Sequence, residues 1–397
     1  MGQTPPSMDE GGWRPAPENT LESLRHAIQL FDGVEFDLRI TADRQLILHH
    51  DRDVSVPVER LEGQPQWVEE WNLDELVNLG FLSFEQFLND STVRHAWAEQ
   101  GKMGCIEIKR PHPRAATGGG FLGRKNHNEH IAEAMMLADA LLDERGIPLE
   151  NTVYYAFHKG MPASARRSGT KRPWAALIPY IPPFGNRSYQ RLQAFPQYLT
   201  MPFARLVRRH GRQGSSMLPC ASEYVASATK HLPLGRHVGL QGGGARRLSK
   251  VRQGMATYVW PTRPSFEHDL LRAGLTGLTD HADPALTWLP SGHARWVNPG
   301  TQPLDEEQWQ RLMAAEESNH LDVITELRSE VPTWEECDAS RRRDLVTAWA
   351  RQWSWKQKPD AVLMSSSGAT PPWSAPRLIG HRGSGKTSRP VLPGHSR

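Results

Sequence analysis

Two short stretches place acidic side chains at alternate positions. Glu35 and Asp37 stand two apart in Val34-Glu35-Phe36-Asp37, and Glu107 and Lys109 repeat the spacing in Glu107-Ile108-Lys109. Alternate side chains of a strand share a face, so Glu35 and Asp37 project together while Val34 and Phe36 point the other way. Burying anions side by side is unfavourable unless a cation compensates them. Carboxylates on the inner face of adjacent strands make a hard, oxygen-only site suited to Mg²⁺ or Ca²⁺. The competing arrangement, surface carboxylates on edge strands, fits the apolar flanks less well. His49 and His50 end the segment that begins Leu46-Ile47-Leu48. Alternation lets only one of them face the carboxylates, and Asp51 either orients an imidazole or caps the turn.

The elements that must position these groups alternate between strands and helices. Strands are expected at Val34 to Ile40, Leu46 to His50, Gly104 to Lys109, Thr152 to His158, Ala175 to Ile181, Ala256 to Trp260 and Leu275 to Thr279. Between them Asn19 followed by Glu22 reads as a capped helix start, with further helices at Leu82 to Leu88, Ile131 to Arg145 and Phe266 to Arg272. Such alternation indicates parallel βαβ units, hence a doubly wound sheet or a (β/α) barrel. Residues 285–376 differ: two charged helices, about Asp305 to Ser329 and Thr333 to Lys356, carry tryptophans, with Leu345, Trp349 and Trp353 on one stripe. A Ser/Pro-rich linker, Ser365 to Pro376, precedes a final strand-like Leu378-Ile379-Gly380-His381-Arg382-Gly383.

With 47 Lys and Arg against 44 Asp and Glu, the formal charge of +3 excludes neither an enzyme nor a binding protein. That balance conceals an asymmetry, because Glu223 is the only acidic residue between Glu150 and Glu267. A positive field there attracts phosphates, nucleic acid or an anionic membrane, unless it is simply a solvated face. No nucleic-acid signature accompanies it, so nucleic acid is not the expected partner. The chain has no apolar run of spanning length. Three isolated cysteines and an N-terminus without signal-peptide character suggest a reduced, cytoplasmic protein.

Pro17-Glu18-Asn19-Thr20, Val34-Glu35-Phe36-Asp37, His50-Asp51 and Glu107-Ile108-Lys109 together follow the order and spacing of the glycerophosphodiester phosphodiesterases. Ser83-Phe84-Glu85-Gln86-Phe87-Leu88, Tyr258-Val259-Trp260 and Gly277-Leu278-Thr279-Asp280 extend the resemblance over residues 17–284. The family has a TIM-type (β/α)8 barrel with a divalent metal at the C-terminal ends of its strands. It opens with a His-Arg-Gly strand, which is missing before Pro17 and present at His381-Arg382-Gly383. The expectation is therefore a circularly permuted barrel: residues 1–284 supply strands two to eight, 285–376 a helical extension and linker, and 377–397 the first strand. Exposed loops are where such rearrangement is tolerated.

The resemblance implies hydrolysis of a glycerophosphodiester, or a lysophospholipid-type diester, to an alcohol and glycerol phosphate. Glu35, Asp37 and Glu107 would hold one Mg²⁺ or Ca²⁺, with Arg382 and Lys109 on the phosphate. His381 and His50 would divide base and acid roles, assigned in that order with the reverse also open. Glu18 and Asn19 would lie in the site loop, Asn19 having a plain helix cap as its alternative, and Trp260 would line the alcohol pocket or the core. The partners expected are a small phosphodiester or lipid head group and an anionic membrane surface met peripherally.

Three rival readings remain. Gly380 to Thr387 matches a phosphate-binding G-x-x-x-x-G-K-[ST] loop, but Ser388-Arg389-Pro390 cannot supply the helix that loop needs. The terminal strand could complete a neighbouring molecule by swapping. A catalytically degenerate barrel could dock on anionic lipid or phosphate, with Leu177 to Leu206, including Ile181, Phe184, Phe195 and Phe203, as an interfacial surface.

Overall fold

The computed structural model describes residues 16–54, 63–120, 123–178, 200–226, 238–366 and 369–383. Its strands are β1 (Gly33–Ile40), β2 (Leu46–Leu48), β3 (Leu82–Ser83), β4 (Met103–Ile108), β5 (Thr152–Ala156), β6 (Trp174–Ala176), β7 (Met217–Ala221), β8 (Ala256–Thr262), β9 (Thr276–Thr279), β10 (Trp288–Leu289), β11 (His293–Ala294) and β12 (Leu378–His381). Eight of them form one parallel series in the order β6-β5-β4-β1-β12-β9-β8-β7. β6 and β7, at the two ends of that order, lie against each other, so the sheet is a nearly closed TIM-type barrel. The short β2 pairs antiparallel with β1 and β3.

The last strand in the sequence lies between the first and the last of the other barrel strands, in the same chain. Its register places Glu35 opposite His381 and Val34 opposite Gly380 on one side, and Gly380 opposite Thr279 on the other. The carboxylate of Asp32 holds this strand in place from the N-terminal end of the barrel. It accepts from the amides of Leu378 (2.9 Å), Gly300 (3.2 Å) and Thr301 (2.8 Å) and from the Thr301 hydroxyl (2.7 Å). Arg377 is fully buried beside it and donates to the carbonyls of Pro371 and Ala375.

The segment expected as a linker is thus an ordered underside of the barrel over residues 369–376. Thr370 donates to Asn151 at 2.5 Å, and Trp373 packs against the interior cluster that includes Met103, Val153, Met217 and Ile379. A loose linker would leave those apolar strand ends open to water. The helical segment expected between residues 285 and 376 is present as Glu306–Met313, His320–Glu330, Ala339–Gln352 and Pro359–Met364, with the hairpin β10–β11 ahead of them. Leu345, Trp349 and Trp353 are buried together as their spacing predicts, and the Trp353 indole donates to Arg272 of the barrel helix Pro264–Arg272.

Several local expectations shift. The first helix, Leu21–Leu30, is capped by Thr20 with Ser23 in a reciprocal capping box, and not by Asn19 and Glu22. The helix expected from Ile131 starts at Arg124, its first turn being polar and without the apolar stripe that marks the rest. Phe203, counted as part of an interfacial surface, is instead buried in a cluster with Leu206, Leu218 and Val259. Ile181, Phe184 and Phe195 lie outside the described residues, as do Gly385, Lys386 and Thr387 of the alternative phosphate loop. β7 went unforeseen, since Met217-Leu218-Pro219-Cys220-Ala221 is buried on both faces and shows no alternation. Among the described residues no helix is long and apolar enough to cross a membrane.

Candidate active site

The C-terminal ends of β1, β4 and β12 meet where the acidic side chains stand. Asp37 is in register with Glu107, and Glu35 with His381. Alternation then points Glu35, Asp37 and Glu107 inward together, and one oxygen from each lies within 4.8 Å of the others. All three are buried, Glu35 and Asp37 almost completely, so the surface alternative does not apply. The set is three carboxyl oxygens on rigid strands, a donor set that fits a hard divalent cation. Part of its charge is met by protein: the Lys109 ammonium pairs with Asp37 at 2.7 Å and also with Glu107.

Arg382 ties the last strand to this cluster. Its amide donates to Glu35 at 3.0 Å, and its guanidinium reaches Glu18 at 3.1 Å and Asp37 at 3.3 Å. Its backbone is left-handed (φ 54°) and its carbonyl accepts from the amide of Asn19, which is itself left-handed (φ 57°). Non-glycine residues adopt this conformation uncommonly, asparagine more readily than arginine. Gly383 next to it has φ 89°, and a Cβ there would stand 2.6 Å from the backbone of Ser23, so only glycine lets the terminal strand pass this close to the first helix. Asn19 also clamps Asp37 from both sides, donating to its carboxylate at 3.0 Å and accepting from its amide at 3.1 Å. Its role in the structure is therefore to orient a site carboxylate, not to cap a helix.

The two histidines occupy different settings. His381 is buried, with Nδ1 2.6 Å from Asp280 and Nε2 3.6 Å from Glu35, and the Trp260 ring lies 5.1 Å away. His50 is half-buried at the rim, with Nδ1 2.8 Å from Asp51. His49 turns away as alternation requires, its ring on Phe81 and its Nε2 on the Asp53 carbonyl.

Electrostatics separates these groups sharply. Burial lifts Glu35 to about 8, with Asp37 adding to the rise and the His381 imidazole opposing it. Burial would raise Asp37 as well, yet Lys109, Arg382 and His50 hold it well below the usual carboxylate range. Burial lowers His50 and Lys109 lowers it further. His381 would also fall on burial, but Asp280 and Glu35 outweigh that and raise it.

The residues singled out from sequence, Glu18, Asn19, Glu35, Asp37, Glu107, Lys109, Trp260, His381 and Arg382, are joined by these contacts, and His50 acts on them electrostatically from the rim. Two further groups were not foreseen. Asp280 orients His381, a role that its position just past a strand end allowed but did not assign. Arg39, two residues beyond Asp37, pairs with Glu69 at 2.8 Å in the interior and donates to the carbonyls of His50 (3.1 Å) and Arg110 (3.3 Å). It sets the two loops flanking the carboxylates.

Residues 11–129 match the glycerophosphoryl diester phosphodiesterase family. This is the family that the motifs resemble, and the reading as a phosphoric diester hydrolase is borne out with it. The matched segment holds Glu18, Asn19, Glu35, Asp37, His50, Glu107 and Lys109. No curated protein matches the chain. Among solved structures, it is similar to a glycerophosphodiester phosphodiesterase from Thermotoga maritima (19% identity, 67% of this chain and 89% of that one, TM-score 0.39). Another such enzyme, from Parabacteroides distasonis, shares 17% identity over 65% of this chain and 83% of its own, with a TM-score of 0.41. A phosphodiesterase from Oleispira antarctica, solved with the product sn-glycerol-3-phosphate, shares 14% over 66% and 87%, with a TM-score of 0.42.

Proposed function

We propose that this protein, whose residues 11–129 match the glycerophosphoryl diester phosphodiesterase family, hydrolyses glycerophosphodiesters to an alcohol and glycerol phosphate, with its site completed by the last strand of the chain. The observation that carries this reading is the docking of His381 and Arg382, from one end of the sequence, onto Glu35, Asp37 and Glu18 from the other. In family terms the strand order is a circular permutation.

Glu35, Asp37 and Glu107 would hold one divalent cation, Mg²⁺ or Ca²⁺, which when bound would draw charge from a non-bridging phosphoryl oxygen. Arg382 and Lys109 add fixed positive charge where the phosphate sits, and neither needs to move as charge develops. Each histidine has its Nδ1 fixed by a carboxylate, which leaves Nε2 to exchange a proton with substrate. His381 and His50 divide the acid and base roles, one on the attacking oxygen and one on the leaving alcohol. The Trp260 indole beside His381 offers an apolar wall to the alcohol.

The charge distribution supports peripheral contact with an anionic membrane surface. Between Glu150 and Glu267 there are 18 Lys and Arg and one acidic residue. Arg205, Arg208, Arg209 and Arg212 line one depression on the helix Phe203–Gln213. The three cysteines are buried and unpaired.

The deciding experiment is release of choline from glycerophosphocholine, and of the head group from lysophosphatidylcholine, with Mg²⁺, with Ca²⁺ and with EDTA. Turnover restored by one of the two ions is the expected result. Activity indifferent to EDTA would overturn the metal reading, and no turnover of either diester with either ion would overturn the enzymatic one.

A further inference from the structure

Beside the carboxylate cluster lies a second group of side chains that the reaction does not use. Arg110 follows Lys109 directly, and its carbonyl hangs on the same Arg39 guanidinium that holds the His50 loop. Among the described residues the Arg110 guanidinium makes no hydrogen bond or ion pair. The opposing charge that acts on it is Glu107, which already pairs with Lys109. His127 and His158 stand with ring centroids 6.1 Å apart and are both more than nine-tenths buried. His158 is held by Asn128 at 2.5 Å, whereas Nε2 of His127 is buried without a hydrogen-bond partner.

His127 lies in the first turn of the helix Arg124–Glu144, 21 residues long, with no acidic residue in that turn and no side-chain cap on its first amides. A helix start concentrates positive potential, which acids ordinarily meet. Here Arg124 and Lys125 stand in their place. Burial lowers Arg110, His127 and His158, and neighbouring cations lower each of them further: Arg52 acts on Arg110, and Arg110 on both histidines. With His127 lowered and His158 lowered to about 4, both imidazoles are neutral, so the uncompensated charge is that of Arg110 with Arg52 acting on it, which an anion would relieve.

We infer that Arg110, His127 and His158 receive a second phosphate group, carried on the head group of the diester whose central phosphate meets the carboxylate cluster. This rests on the proposed diesterase reading and narrows it to glycerophosphodiesters whose alcohol bears a phosphate monoester. Arg110 supplies a forked donor set, and His127 a buried ring nitrogen that a phosphate oxygen would satisfy.

Glycerophosphoinositol and its 4-phosphate differ only in the monoester, so their ratio isolates this contact. Calorimetry in excess Mg²⁺ with the His381→Ala variant, chosen to prevent turnover, should show the 4-phosphate binding about tenfold more tightly, the effect of one charge-assisted contact. Adding Arg110→Gln, and separately His127→Gln, should bring the two ligands to within about twofold of each other while leaving glycerophosphoinositol affinity in place. Equal affinity for the two ligands, absent binding of both, or a ratio untouched by Arg110→Gln overturns the inference. Absence of diester turnover in the native protein would instead overturn the activity, with the binding ratio still readable.

Discussion

Asp32 stands just before β1 and Asp37 five residues on, in the C-terminal half of that strand, and both are wholly buried. The first accepts from three backbone amides and a hydroxyl, and burial raises its pKa despite nearby Lys102. The second meets Lys109, Arg382 and an asparagine, and is pushed well below the usual range. Neutral donors finish the N-terminal end of the barrel as structure, fastening the extension and the last strand. Cations and extra carboxylates at the C-terminal end leave concentrated charge that a phosphate and a metal ion can use. The same residue type serves architecture or chemistry according to what the neighbouring strands bring to it.

The two ends can be tested against each other. Truncation after Pro376 removes a central barrel strand together with His381 and Arg382, and should abolish diesterase activity altogether; full activity in that protein would sink the assignment of the last strand to the site. His381→Ala isolates the chemistry: kcat should fall roughly 10²–10⁴-fold, with the thermal unfolding midpoint moving by only a few degrees. Asp32→Ala should do the reverse. It strands the buried amides of Gly300, Thr301 and Leu378, and urea unfolding should report a loss of about 3 kcal/mol or more, with kcat near native at temperatures where the protein remains folded.

The smallest expected effect concerns Glu223, a buried carboxylate just past the C-terminal end of β7. Burial lifts it to about 7, and its backbone hydrogen bond and Arg263 only partly oppose the rise. The folded state therefore binds this proton more tightly than the unfolded one. The associated stability is complete below about 4.5 and is lost as pH rises to about 7, by roughly 3 kcal/mol at most. Glu223→Gln should flatten the pH dependence of unfolding in that window; an unchanged profile would show that Glu223 ionises normally.

Much of the site was legible because strand geometry is local. Glu35 and Asp37 must share a face whatever surrounds them, and of His49 and His50 only one can turn toward them. Three things were less visible. Asn19 has the chemistry of a helix cap, and only the arrival of β1 makes Asp37 its partner. β7 lacks alternation because both its faces are buried. Residues 369–376 have linker composition, and their burial follows from the open underside of the barrel that they fill.

Residue order and spacing by themselves determined the motifs, the alternation of strands and helices, the carboxylates fit for a hard cation and the separation of basic from acidic stretches. Tertiary structure alone decided that β12 enters between β1 and β9 of its own chain, that Asp280 fastens His381, and that the charge of Arg110 bears on two buried histidines. The physical reason is that side-chain alternation is a property of a few consecutive residues. Strand neighbourhood and the field on a buried group depend on residues distant in sequence, 346 positions apart for Asp32 and Leu378 and 101 for Asp280 and His381.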